Sequence, residues 1–421
     1  MKKPLSFRSY PKNLRGLFAV LIIAATFLFH SNAVEGQTIT LAGDNAGNYS
    51  GSWTNGSNGG FGFGSWALTA QAGTGSAGTF RGDPAAAGIS GMNTTSFGLF
   101  ANPGGSGAFV NADRSFAAPL PTGATFSLQW GVNWDSGVAG AKGINLYTGG
   151  TGGTEIININ MGGNDDITIN GSLMFDKYGT QAMTLNFELI NTTTLRVYGT
   201  GRDGSETYDE EITISGAPDA IRFYASGLAE GDQRQPYFND LQITIPETRS
   251  HNYTTSVTGG SATLGITADF QSQLPASNAL EGTQVTINIS DIDAGKRVAD
   301  VTVTQTSDTT TTPVTPTITG ELYTFTMPAY DVDIVVELAD AQISFANLQF
   351  PATTTAKLGE STENIFAQVL IDGNVTLDSQ NGYTGLEVWI GYNSTDTDPS
   401  TWSQWTVATY NGESTVDPFR P

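Results

Sequence analysis

The residues of this chain best suited to chemistry are aromatic rings set beside amides and carboxylates. Trp134 stands between Asn133 and Asp135, and Tyr147, Arg222, Tyr224, Arg234 and Tyr237 follow in the same half of the chain. A second group, Trp389, Tyr392, Trp402 and Trp405, falls near the C-terminus. Rings of this kind stack on the apolar faces of sugars, while Asn, Asp and Arg reach their hydroxyls, so the combination suits carbohydrate binding. The competing reading is that the rings fill β-sandwich cores. Trp130 is assigned to the core on that ground.

Oxygen ligands are the other resource. Asp44 in AGDNAGN, Asp165 and Asp166 in GGNDDIT, and Asp240 in YFNDL could contribute to a calcium site. None of these strings is an EF-hand loop, and Asn and Asp are also ordinary turn formers. No cofactor is required by the sequence, and structural calcium is the one its donors would allow. The absence of cysteine excludes disulfides, thiolate metal sites and Cys nucleophiles. Beyond residue 33 the only histidine is His251, which excludes a multi-His metal centre. A Ser-His-Asp triad would have to use that one residue, at a junction between modules.

The start of the chain has the pattern of a secretory signal. Lys2, Lys3, Arg8, Lys12 and Arg15 precede the apolar run LFAVLIIAATFLF, which is shorter than a membrane span. Ser31 and Ala33 supply small residues for cleavage after Ala33, with Gly36 as the second choice and an uncleaved anchor as the alternative. No later segment is apolar enough to span a bilayer as a helix. Removal of residues 1–33 leaves 13 basic against 40 acidic side chains, a net charge of −27. Such a surface repels phosphate backbones, so nucleic acid is not expected as a partner. Secretion without disulfides fits a bacterial exported protein, free or at the cell surface.

The elements that position these residues are strands. Phe126, Leu128, Trp130, Val132 and Trp134 alternate with Ser127, Gln129, Gly131 and Asn133, the period of a strand with one buried face. GINLYTG, EIININM, DITING, MTLNFELI, TLRVYGTG, YDEEITIS, IRFYAS and YFNDLQITI follow, punctuated by GG, NG and DG turns. The glycine-rich text from Gln37 to about Ser76 is taken as loop running into a first strand. About a dozen strands in this span predict two stacked antiparallel sheets. YFNDLQITI is expected to close the module with Leu241, Ile243 and Ile245 inward and Asp240 in a structural role.

The series GFGSWAL, SFGLFAN, RSFAAPLPTGATFSL, IRFYAS and YFNDLQI resembles a bacterial secreted module of the concanavalin A-like lectin/glucanase fold, covering residues 37–246. That resemblance implies a jelly-roll β-sandwich, and its relatives include both lectins and glucanases. The glucanases of this fold carry Glu-x-Asp-x-x-Glu on a strand, placing two carboxylates about 5 Å apart. The nearest strings here, Glu230-Gly-Asp232 and ETYDEE (206–211), lack that order. The module is therefore expected to be non-hydrolytic, with the second string as solvated strand-edge charge.

Residues 247–254 suit a linker. In 255–339, EGTQVTINI, GKRVADVTV and YTFTMPAYDVDIVVEL together resemble the bacterial β-repeat related to the internalin B-repeat, a spacer and adhesin element. Pro313 and Pro316 argue against a central strand in its Thr-rich interval, 304–320. Residues 342–421 resemble a β-sandwich module of Bacteroidetes-type secreted proteins, with too few strands to close, so a longer parent protein is expected. The whole is expected to be all-β, an N-terminal jelly-roll sandwich followed by two smaller β modules. The first expectation for function is a non-catalytic secreted or surface protein that binds extracellular polysaccharide or mediates adhesion. The alternatives are the ancillary front of a larger polysaccharide-degrading hydrolase and a structural matrix component without a ligand.

Overall fold

Alternation along Phe126–Val132 places Phe126, Leu128 and Trp130 on one face of a strand, and all three are buried. The computed structural model that contains this strand describes residues 37–412, apart from 103–106, 133–139, 163–165, 177–179, 229–234, 308–312, 320–321, 352, 356, 358, 373–376, 379–381 and 384–385. The expected signal, residues 1–33, lies outside the described residues. The chain divides into two compact units, Met1–Arg249 and Ser250–Pro421. Both are built from β-strands, and no α-helix occurs among the described residues. No helix there is long and apolar enough to cross a membrane.

The first unit begins with β1 (Thr38–Asp44), β2 (Ala67–Gln71), β3 (Ser76–Gly82), β4 (Ser96–Asn102) and β5 (Phe109–Ser115). Next come β6 (Thr125–Gly131), β7 (Ala141–Thr148), β8 (Thr154–Met161), β9 (Ile167–Ile169) and β10 (Ser172–Phe175). It ends with β11 (Met183–Asn191), β12 (Thr194–Gly201), β13 (Glu206–Thr213), β14 (Ala220–Ser226) and β15 (Tyr237–Pro246). One sheet runs β13-β12-β11-β6-β15-β4-β3, with β1 also paired to β15. The other runs β10-β9-β8-β7-β14-β5-β2. Successive strands change sheet repeatedly, and the result is a jelly-roll β-sandwich.

The core lies between the inner faces of the two sheets. Leu185, Phe187 and Leu189 of β11 are buried on one side, and Ile144, Leu146, Ile221 and Phe223 of β7 and β14 on the other. Phe223 and Phe238, one from each sheet, stack with centroids 4.0 Å apart and planes 3° from parallel. Each such side chain removed from water contributes about 1.5–3 kcal/mol, so the alternating pattern largely decides the fold. Trp130 is fully buried and stacks on Phe238 at 6.2 Å.

Strand β15 is central, held by β6 on one side and by β4 and then β1 on the other. Leu241, Ile243 and Ile245 are buried, but so is Phe238, which has the opposite parity. A bulge between Asn239 and Gln242, with Asp240 at φ 50°, reconciles the two.

The structure differs from the sequence reading in the first hundred residues, where β1 and β3 are strands. Glycine there serves close packing: a Cβ on Gly78 would meet the Phe100 ring at 2.9 Å, and one on Gly98 would overlap the Phe80 ring. Low side-chain content over Ser76–Thr79 thus disguises β3 as loop. The acidic string Glu206–Glu211 lies on β13, the outermost strand of its sheet, and is largely exposed.

In the second unit, β16 (Ser250–Thr258), β17 (Thr263–Ala268), β18 (Asn278–Leu280) and β19 (Gln284–Ser290) precede β20 (Lys296–Gln305), β21 (Thr317–Thr319), β22 (Leu322–Thr326) and β23 (Val332–Asp340). They form two four-stranded sheets, β18-β16-β23-β20 and β17-β19-β22-β21. Val332, Ile334, Val336 and Leu338 alternate into their common core with Ile287 and Phe325. Past Pro313 and Pro316 the Thr-rich interval ends in the short edge strand β21, in keeping with the exclusion of proline from central strands. Beyond them β24 (Gln342–Phe350) pairs with β25 (Phe366–Asp372), and Trp389–Tyr392 pairs with Gln404–Val407.

Candidate functional site

The outer face of the second sheet of the sandwich is polar. On β5, Val110, Ala112 and Arg114 point inward, which leaves Phe109, Asn111 and Asp113 outside. On β14 the outward set is Arg222, Tyr224 and Ser226, and on β7 it includes Asn145 and Tyr147. On β8, Asn158 and Asn160 alternate with buried Ile157, Ile159 and Met161. The strand registers align these residues into rows. Asp113, Arg222, Asn145 and Asn158 stand side by side across four strands, and so do Asn111, Tyr224, Gly143 and Asn160. A cleft of about 470 Å³ opens over this face.

Hydrogen bonds tie the rows together. Arg222 donates from Nε and Nη2 to the two oxygens of Asp113, at 2.6 and 2.9 Å, and from Nη1 to the Tyr147 hydroxyl at 3.0 Å. Asn145 donates to the Tyr147 hydroxyl at 3.0 Å and to Glu155. Asn158 donates to Asn145 Oδ1 at 2.9 Å and to the Tyr224 hydroxyl at 3.2 Å, which in turn donates to Asn160 Oδ1 at 2.9 Å. Burial pushes the Tyr224 hydroxyl up to about 12, so it is a neutral hydrogen-bonding group at ordinary pH. Burial also raises Tyr147, and the Asp113 carboxylate raises Arg222.

Glycine is needed at one position of this lattice. A Cβ on Gly143 would strike the Ile159 carbonyl and come within 2.8 Å of the Tyr224 hydroxyl. Its absence lets Tyr224 lie across β7 and reach β8.

Three residues singled out from the sequence, Tyr147, Arg222 and Tyr224, are therefore brought together. Tyr147 is turned into the network with its ring under the Arg222 guanidinium, 5.2 Å from the centroid, and is only 5% exposed. Tyr237 is turned elsewhere, buried against Phe80 at 5.5 Å. Asn133, Trp134, Asp135, Arg234 and Asp165 lie outside the described residues. Asn111, Asp113, Asn145, Glu155, Asn158 and Asn160 were missed. Their signal was the polar member of each alternating pair in FVNADRS, GINLYTG and EIININM.

Asp44 and Asp240, far apart in sequence, meet at a second cleft of about 390 Å³. Asp44 is buried and accepts from Arg114, from the Tyr49 hydroxyl at 2.6 Å and from the Asn45 backbone at 2.8 Å. Arg114 also donates to Asn58 Oδ1 at 2.6 Å and Gly64 O at 2.9 Å. Asp240 accepts from Asn45 and, at 3.3 Å, from Asn93. Protein N–H and O–H donors thus already occupy the oxygens that a cation would need. Asp166 lies apart from this cleft, just before β9. Among the described residues no group of three or more His, Asp or Glu is arranged to hold a metal ion.

In the second unit Trp402 and Trp405 lie 6.1 Å apart, and Trp405 covers Gly391. Trp389 stands opposite Val407 on the same side of the strand pair, whereas Tyr392 faces Gln404 on the other. All three strand aromatics are exposed. His251 has Nε2 4.0 Å from Glu281 and Nδ1 3.9 Å from Asp331, a charged corner of the second unit.

No family model matches the chain, and no curated relative does. Solved structures similar to it include the carbohydrate esterase of the Shiga toxin-encoding bacteriophage phi24B, at 14% identity and TM-score 0.31 over 50% of this chain and 100% of that one. Beta-agarase A from Zobellia galactanivorans has 10% identity and TM-score 0.25, over 48% of this chain and 98% of that chain. Lectin I-B4 from Griffonia simplicifolia, in its metal-free form, has 10% identity and TM-score 0.24, over 42% and 92%.

Proposed function

We propose that this is a secreted or cell-surface bacterial protein of several β modules that binds glycans without cleaving them, through the outer face of the second sheet of its first unit. The observation that carries the reading is the lattice of Asn, Arg and Tyr in register across β5, β14, β7 and β8. Such a face offers donors and acceptors at strand spacing, fixed by their own mutual bonds, which is what hydroxyl recognition requires. The carboxylates of this face support a non-catalytic role for it: Asp113 is clasped by Arg222, and Glu155 is bonded to Asn145 and Tyr147. In this reading residues 1–33 direct export, and 255–339 and 342–421 act as spacer and accessory modules.

Affinity electrophoresis of the full chain in gels containing different polysaccharides tests this. Retardation by at least one polymer, lost in Tyr224→Phe and Asn158→Ala variants with unchanged circular dichroism, is the expected result. Retardation that survives both substitutions would move the site elsewhere on the protein.

A further inference from the structure

The charge inside the lattice narrows the ligand class. Arg222 is the one cation among the described residues lining this cleft. Its charge is already paired: Nε and Nη2 hold Asp113, and Nη1 donates to the Tyr147 hydroxyl. The nearby Lys142, of opposite parity on β7, is completely buried on the inner side. Glu155 adds a second carboxylate to the same network, bonded to Asn145 and 3.4 Å from the Tyr147 hydroxyl. An incoming anionic sugar would therefore meet two carboxylates and one arginine whose charge is balanced. The long-range field is no kinder, with a net charge of −22 over the chain.

What the face does leave available is amide. Asn111 makes no side-chain hydrogen bond among the described residues, and it is adjacent to Tyr224 in the rows. Asn160 accepts from Tyr224 through Oδ1, and its amide nitrogen makes no hydrogen bond among the described residues. A side-chain amide offers donor and acceptor together, which suits a hydroxyl and does not discriminate in favour of a carboxylate. Phe109, partly buried at the end of β5, gives an apolar wall beside them.

We propose, resting on the glycan-binding reading above, that this face selects neutral, hydroxyl-rich polysaccharides and rejects chains bearing uronate or sulfate. Recognition runs through the Asn111, Asn158, Asn160 and Tyr224 side chains, and the Asp113–Arg222 clasp with Glu155 supplies the rejection.

Isothermal titration of the full chain with laminarin, galactomannan and soluble starch, against alginate, polygalacturonate and a sulfated galactan, decides it. The expected result is binding of at least one neutral polymer, with an affinity that changes little between low and high salt, and no binding of the acidic ones. Asp113→Asn and Glu155→Gln each remove one repelling charge without changing shape. Each is expected to raise affinity for the acidic polymers relative to the neutral ones by about tenfold at low salt, fading as salt screens the site. Binding of acidic polymers as tight as that of neutral ones, lost in Tyr224→Phe, would overturn the selectivity and leave glycan binding intact. Failure to bind any polymer would overturn both.

Discussion

Arg222 and Asp113 face each other directly across β14 and β5, and the guanidinium clasps the carboxylate through two bonds of 2.6 and 2.9 Å. The same arginine carries the Tyr147 hydroxyl, so one side chain fixes the geometry of two strands' worth of outward groups. A lysine keeps the charge but not the fork. Arg222→Lys is expected to cost about 1 kcal/mol in urea unfolding, since the pair is only partly buried, and to weaken glycan binding more than stability. Equal loss of both would make the arginine a purely structural brace.

Tyr224 makes alkaline stability measurable. Burial holds its folded-state pKa near 12, above the unfolded value of about 10. The unfolded chain therefore gives up this proton first as pH rises, and the stabilisation present below about pH 10 is lost as pH climbs toward 12. The contribution is about 2–3 kcal/mol. Tyr49, Tyr147 and Tyr253 are raised by burial as well and add slope in the same direction. Denaturant midpoints collected across this range should fall steadily, and Tyr224→Phe should flatten the fall. An unchanged slope in the variant would mean that the hydroxyl is not the buried titrating group.

Gly143 is expected to be irreplaceable. A methyl group there collides with the β8 backbone and with the Tyr224 hydroxyl together, so strand pairing and the site are disturbed by the same atom. Gly143→Ala should destabilise the sandwich by about 1–3 kcal/mol through overpacking. It should also abolish glycan binding even under conditions where the variant is folded, as read by tryptophan fluorescence and titration.

Much of the fold was legible because burial enforces parity. The alternation in Phe126–Val132 and Val332–Leu338 named inward residues correctly, and Leu241, Ile243 and Ile245 were right despite the bulge upstream. What hid β3 was composition: Ser76, Ala77, Gly78 and Thr79 are small, and the Phe100 ring of the neighbouring strand fits over Gly78. The site was half legible. Tyr147, Arg222 and Tyr224 stand out by type, but Asn158 and Asn160 are only the polar positions of a strand until register places them in the rows of Arg222 and Tyr224. Pairing across strands far apart in sequence, such as β5 with β14, has no local signal at all.

The second cleft yields the last prediction, because Asp44 is placed for structure. Its carboxylate and the Arg114 guanidinium are both fully buried, and Tyr49 and Asn45 complete the shell around it, with Trp66 donating to Tyr49 at 2.8 Å. Arg114 further lies 4.7 Å from the centre of the Trp66 ring. Removing one member of such a pair leaves an uncompensated buried charge, so Arg114→Met should cost about 3–5 kcal/mol. Trp66 makes the loss visible by fluorescence in a denaturant series. Because protein donors already fill the oxygens of Asp44 and Asp240, a chelator should leave the melting temperature of the wild-type chain where it was, and added calcium should not raise it. A rise of several degrees with calcium would mean that Asn45 and Asn93 turn away to admit the ion, and would make this cleft the metal site that the aspartates suggested.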